Sequence, residues 1–328
     1  MKRLFLVSVI VTTALGLVTA QTGTSIEVLQ LRPNFWMIAG AGGNVGVQVG
    51  VDGVVVVDSG STSTAPAILA EIKKITKQPI RYVINTSADA DHVGGNELLS
   101  KAGETLLSVR VTGLPGGGTS FYGSGGIPAS ILSAENVLTR MSASTPQRPA
   151  YPVAAWPTET FEFDRKNIYL NGEGIEILHQ PSAHSDGDSI VFFRKSDVVL
   201  AGDIIDAERF PVIDVEAGGS IEGELGALNR LTTVALPSIP IVIRDEGTLV
   251  IPGHGRVFDQ YDVANYRDML SIIRDRVREL MASGMTLDQV KAAGPAKGYA
   301  ARYGAESGPN STSSLIEGIY RSLLKVKS

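Results

Sequence analysis

The chain passes twice through the same order of elements: a series of short β-rich runs, then a helix, then one more apolar strand. In the first pass the runs are "SIEVLQLRP", "NFWMIAG", "NVGVQVG" and "GVVVVDSG", separated by Gly- and Asn-containing breaks that suit an antiparallel meander. "TAPAILAEIKKIT" follows with Ile68, Leu69, Ile72 and Ile75 at helical spacing, then the buried-type strand "IRYVIN" and a helix beginning in "GGNELLSKAG". The second pass runs through "TFEFD", "NIYLN", "GIEILHQP", "SIVFFR" and "DVVLAGD", a helix around "GSIEGELGALNRLTTVA" and the strand "TLVIPGHG". Two β-rich halves, each followed by helices, predict two sheets packed face to face with helices outside: an α+β fold, a four-layer αββα sandwich.

The first twenty residues stand apart from this pattern. Lys2 and Arg3 precede an apolar stretch from Leu4 to Val18 and a small-residue end, Val18-Thr19-Ala20, which reads as a cleaved secretory signal over residues 1–20. A membrane anchor is the alternative, but the run is short for a span of roughly 20 residues and Ser8, Thr12 and Thr13 interrupt it. The mature chain is expected to be exported, periplasmic or secreted, without stable membrane insertion. Residues 21–328 then form one domain, 43% hydrophobicity across the whole chain being ample for a core. Losing Lys2 and Arg3 moves the formal charge from −5 to −7, so nothing recruits nucleic acid, and a small-molecule substrate is the expected partner. Oligomeric state stays open. With no cysteine, disulfides and thiolate ligands are both excluded, so a metal must be held by His, Asp, Glu or water.

That requirement falls on few residues. Of the four histidines, His92, His184 and His254 lie in Gly- and Asp-rich loops directly after predicted strands, in "TSADADHVGGN", "PSAHSDGDS" and "IPGHGRV". Asp203, in "VVLAGDII", is expected at the same kind of position, and loops at strand ends can converge on one edge of a sandwich. His179 lies within strand-like "IEILHQP" and is read as packed or hydrogen-bonded to its neighbours.

In this order the motifs resemble the metallo-β-lactamase-fold hydrolase superfamily over most of the mature chain, roughly from Ile26 to the C-terminal helices. "VVVVDSG" is similar to the early strand ending in Asp, "PSAHSDGDSIVFF" to the second metal loop, "LAGDII" to the Asp loop and "IPGHG" to the last His loop. The resemblance implies the αββα sandwich and hydrolysis assisted by one or two divalent ions, usually zinc. It departs at "NTSADADHVGGN", where the family's HxHxDH places its first His on Ser87, its second on Asp89, its Asp on Asp91 and its last His on His92. Carried over by position, Asp89, His184 and a shared Asp203 would form one metal position, with Ser87 at most a weak neutral ligand. Asp91, His92 and His254 with Asp203 would form the other.

Carboxylate in place of imidazole hardens the first position, which disfavours zinc relative to manganese, iron(II) or magnesium. Two readings remain: a dinuclear site rebuilt around Asp89, or a site reduced to one ion. The implied activity is hydrolysis of an ester, lactone, amide (a β-lactam among them) or phosphoester, with Asp91 orienting the nucleophile or passing a proton. The competing class is a non-catalytic exported metal- or ligand-binding protein on the same fold.

Asp58, closing "VVVV", either hydrogen-bonds a ligand from behind or forms a turn with Ser59-Gly60. Asp186 and Asp188 are read as shaping the "HSDGDS" turn, and Glu135, after Ala134, carries no metal role. The Gly-rich insertion near 113–128 reads as a surface excursion, or as a flap through Phe121 and Tyr122. Among the helices expected over 260–328, Met269, Ile273, Val277, Leu280 and Met281 mark one apolar face, with Arg274, Asp275 and Arg278 solvated.

Overall fold

Four strands, β1 (Glu27–Arg32), β2 (Phe35–Ala39), β3 (Val45–Gly50) and β4 (Gly53–Val57), pair as the expected antiparallel meander. Helix α1 (Ala65–Ile75) then crosses over to β5 (Ile80–Ile84), which pairs parallel with β4. The chain continues through α2 (Ala90–Val93), α3 (Asn96–Ala102), β6 (Ser130–Ala134), α4 (Glu135–Ser142) and β7 (Glu159–Phe161). Both β6 and β7 add in parallel, giving a sheet ordered β1-β2-β3-β4-β5-β6-β7. The second sheet is ordered β12-β11-β10-β9-β8, from β8 (Arg165–Leu170), β9 (Glu173–Gln180), β10 (Asp188–Phe193), β11 (Val198–Asp206) and β12 (Leu249–His254). This is a computed structural model, and it describes residues 26–106, 127–145, 149–238 and 247–325. Residues 1–20, read from the sequence as a secretory signal, and the Gly-rich segment with Phe121 and Tyr122 lie outside the described residues.

One strand falls elsewhere than the sequence order suggests. "TFEFD" was expected in the second sheet, but β7 pairs with β6 at Leu132↔Glu159 and Ala134↔Phe161, at the edge of the first. Three residues with a single buried side chain, Phe161, carry too little pattern to choose a sheet, and the parallel partner decides it.

Alternation along the strands produces the layers. In β4, Val55 and Val57 point between the sheets with Phe35, Met37, Val191, Phe193 and Leu200, where the Phe35 and Phe193 rings meet edge to face at 4.9 Å. Val54 and Val56 point the other way, onto Ile68 and Ile72 of α1 and Leu99 of α3. A strand buried on both faces needs a continuous apolar run, and "VVVV" supplies it. On the far side Val199 and Ala201 of β11 pack against α5 (Ile221–Val234), α6 (Gln260–Ala282) and α9 (Thr312–Lys325). The order is helices, sheet, sheet, helices.

The C-terminal helices are closed by local chemistry. Asp259 and Asp262 form a reciprocal capping box at the start of α6, and Thr286 with Gln289 does the same for α7 (Leu287–Ala293), ahead of the short α8 (Lys297–Tyr303). Met269, Ile273 and Val277 are buried as the spacing predicts, with Leu280 and Met281 packed at the margin. Arg274 and Arg278 are not simply solvated: both reach Glu222 of α5, at 3.2 and 2.5 Å, and so tie α5 to α6.

Glu224, in the first turn of α5, is fully buried and neither carboxyl oxygen has a hydrogen-bond partner among the described residues. Burial, reinforced by Asp188 and Asp203 and opposed by His184, holds its pKa well above the usual carboxylate range. The folded chain therefore keeps this proton while the unfolded chain gives it up, so stability declines as pH rises from about 4.5. Glu224→Met, which keeps the volume and removes the unpaired polar group, is expected to raise stability by about 1–3 kcal/mol. The gain should be larger at pH 8 than at pH 5 in urea unfolding with chelator present. A loss at both pH values would give Glu224 a structural partner that the fold does not show.

Candidate metal centre

The first sheet delivers its site residues from the turn after β5. Asp89 stands at the N-cap of α2, and Asp91 and His92 lie inside that single helical turn rather than in an open loop. Behind them Asp58, at the end of β4, adopts φ 61°, a left-handed conformation that Asp tolerates better than most side chains. It is buried, and its carboxylate accepts from the Thr86 N–H at 2.8 Å, from Thr86 Oγ1 at 2.6 Å and from His92 Nδ1 at 2.8 Å. Of the two roles open to Asp58, the geometry shows the hydrogen bond to His92. That bond fixes the proton on Nδ1 and leaves Nε2 to face Asp203, 3.0 Å away.

The second sheet supplies the rest. His184 follows β9 and is 6% exposed; its Nδ1 donates to the Val212 carbonyl at 2.8 Å, which again frees Nε2, here 3.0 Å from Asp89 Oδ2. His254 ends β12, with Nε2 3.4 Å from Asp91 Oδ2 and 3.6 Å from Asp203 Oδ1.

Asp203 differs from the expected loop position, for it lies inside β11 where the pairing with β12 shifts register around Gly202. Gly202 has φ 54°, and a Cβ there would come within 2.5 Å of Thr86 Oγ1. Only glycine lets this strand approach the β5 turn closely enough for Asp203 to sit between the two halves. Its Oδ1 is 3.0 Å from His92 Nε2, and its Oδ2 accepts from Ser87 Oγ at 3.2 Å. Ser87, where the resemblance puts an imidazole, thus orients the shared carboxylate. Gly43 makes a second close approach, since a Cβ there would meet His92 Nε2 at 3.0 Å.

Two sets of three donors result: Asp91, His92 and His254, and Asp89, His184 and Asp203, with the donor atoms of each set within 4.8 Å of one another. Bonds of about 2.0–2.2 Å put the ligand atoms of one divalent ion roughly 3–4.4 Å apart, so both sets fit a cation. His92 and His184 have pKa values well above the imidazole norm: burial acts to lower them, but Asp203 and Asp58 around the first, and Asp89, Asp188 and Asp203 around the second, prevail. Burial works to raise the Asp203 pKa, yet His92, His254 and His184 hold it well below the usual range. The carboxylates thus surround the imidazoles with negative charge that a bound cation would neutralise.

Asp188 accepts from the Ser185 N–H and hydroxyl and shapes the turn, its pKa pushed up to about 7 by burial against the opposing pull of His184. Asp186 is ion-paired to Arg140, and its carbonyl receives His179 Nε2 at 2.8 Å, so His179 is a structural partner as expected. Asp89, Asp91, His184, Asp203 and His254 border a cavity of about 400 Å³, and Arg209, Pro309 and Asn310 complete part of its wall. Sequence reasoning missed these last three.

With this geometry in view, the family described as the metallo-beta-lactamase superfamily matches residues 39–282, and the chain belongs to it. A linear primary-alkylsulfatase from Pseudomonas sp. (strain ATCC 19151) is 22% identical over 259 residues, 73% of this chain and 47% of that protein. The chain therefore spans about half the length of that curated relative. Among solved structures, a metallo-beta-lactamase from Pontibacter korlensis superposes with TM-score 0.55 at 16% identity, covering 75% of this chain and 99% of its own. A stereoselective inverting sec-alkylsulfatase from Pseudomonas sp. gives TM-score 0.59 at 15% identity, covering 90% of this chain and 50% of that one. At these identities the superpositions establish the shared fold. The family is metal-dependent, and this chain carries carboxylate and imidazole groups suited to that role.

Proposed function

We infer that the protein is an exported, metal-dependent hydrolase that turns water on an ester, lactone, amide or phosphoester. The alkylsulfatase likeness adds sulfate esters to that range. The observation that carries the reading is the convergence of six donors from both sheets, five of them bordering one cavity, with Asp203 between the two sets. Asp91, His92 and His254 would hold one ion and Asp89, His184 and Asp203 the other. Zinc is the family's usual choice, and the carboxylate-rich second set also suits manganese or iron. A divalent cation there supplies Lewis acidity toward a carbonyl, phosphoryl or sulfuryl oxygen and makes water acidic enough to attack at neutral pH.

The chain's own groups do the rest. Asp58 and the Val212 carbonyl hold His92 and His184 in one tautomer and ring orientation. Asp91 has a partly exposed side chain at the cavity and is placed to take a proton from water and pass it to the leaving group.

The test is a substrate panel run on protein beginning at Gln21, loaded with zinc, manganese or iron. Turnover of at least one ester class is expected, and Asp91→Asn should reduce kcat/KM by about 100- to 1,000-fold with the melting midpoint maintained. Absence of turnover with every metal would move the protein to the non-catalytic binding class.

A further inference from the structure

We propose that Arg209 is the anchor for an oxyanion on the substrate, so that the cavity takes anionic esters in preference to neutral ones; this rests on the hydrolase reading above. The loop carrying Arg209 is fixed on both sides. Asp206, at the end of β11, accepts from the N–H groups of Glu208 and Arg209 at 2.9 Å each and from Arg209 Nε at 2.8 Å. Phe210, fully buried, donates its N–H to the Tyr303 carbonyl at 2.8 Å, and its own carbonyl accepts from Asn310 Nδ2 at 2.8 Å. Its ring lies 5.9 Å from that of Tyr303.

Within that frame the guanidinium is only part-used. Nε is taken by Asp206, while Nη1 and Nη2 have no partner among the described residues and the side chain is 42% exposed on the wall of the cavity. The pair joins a buried Asp206 to a part-exposed Arg209 through Nε alone, so it holds the guanidinium in place without using the two terminal nitrogens. Two unoccupied, coplanar N–H donors beside the metal candidates instead match the spacing of two oxygens of a carboxylate, sulfate or phosphate. Asp206 orients the fork, and rigidity of the loop means little entropy is lost when an anion is bound.

Charge decides when this can operate. Asp89, Asp91, Asp203 and Asp206 line the same cavity, so one guanidinium cannot attract an anion until divalent cations offset the carboxylates. Anion binding should therefore require metal loading. Pro309 and Asn310, which line the same wall as Arg209, come from beyond residues 39–282, so the C-terminal segment completes this side of the cavity.

The experiment compares wild type, Arg209→Ala and Arg209→Lys, all metal-loaded and matched for melting midpoint. Substrates are para-nitrophenyl acetate, its glutarate monoester, and para-nitrophenyl sulfate and phosphate; the binding of sulfate and of glutarate is followed in parallel by calorimetry. Arg209→Ala is expected to cut the preference for an anionic over the neutral ester by about tenfold or more, mainly through KM, with Arg209→Lys recovering part of it. Preference for the glutarate ester places the anion away from the scissile bond; preference for sulfate or phosphate makes it the reacting group. An unchanged preference, or equal anion affinity in wild type and Arg209→Ala, overturns the proposal. If no ester is turned over, the hydrolase reading fails, and the calorimetry still decides whether Arg209 binds an oxyanion.

Discussion

Asp203→Ala is expected to reduce turnover to about a thousandth of wild type and to bring the metal content from two ions per chain to one or fewer. A thousandfold loss corresponds to about 4 kcal/mol, within what a metal ligand that also positions the reacting centre can supply. The expectation follows from where the carboxylate lies. One oxygen is 3.0 Å from His92 Nε2 and 3.6 Å from His254 Nε2, and Asp203 also completes the set formed by Asp89 and His184. Among the described residues no other carboxylate touches both sets. Mass spectrometry of metal content beside steady-state kinetics checks it. The fold should survive, because Asp203 sits at the cavity margin and the β11–β12 ladder does not use its side chain. Retention of two ions in Asp203→Ala would mean that each position is complete without sharing, contrary to the arrangement described.

Much of this site is visible in the sequence because the candidates are so few. With no cysteine and four histidines, three of them in Asp- and Gly-rich segments after strands, the set of candidate ligands is nearly forced. The layering is legible for a similar reason: "VVVV" can be satisfied only by burial on both faces. What escapes the sequence depends on distant backbone. β7 joins the first sheet because β6 offers its edge, and Asp203 lies within a strand because Gly202 lets β11 approach Thr86. Arg209 belongs to no motif, and its meaning comes from Tyr303 and Asn310, roughly 100 residues onward, which pin its loop. Such long-range contacts leave no local periodicity to read.

Asp89→Ala should remove one of two bound ions and leave the other, which separates a rebuilt site from a reduced one. Asp89 occupies the N-cap of α2, where an aspartate ordinarily bonds to the exposed N–H groups of the first turn. Here the side chain makes no capping bond. It extends instead to within 3.0 Å of His184 Nε2, half-exposed at the cavity, while its own N–H is held by Ser87 Oγ at 3.3 Å. A residue forgoing its local partner to face a distant imidazole is placed as a ligand would be. No cap is lost, but metal-free Asp89→Ala gives up the 3.0 Å pair with His184, so its melting midpoint should fall modestly; with metal content measured well below that midpoint, a fall from two ions to one can be read as loss of a ligand. The ion that remains should be the one held by Asp91, His92 and His254. Asp89→His carries the argument a step further: imidazole is softer than carboxylate, so this variant should shift the selectivity of the altered position toward zinc and away from manganese. Two ions retained in Asp89→Ala, or a single ion in wild type that ignores the substitution, would show that the carboxylate facing His184 holds no metal.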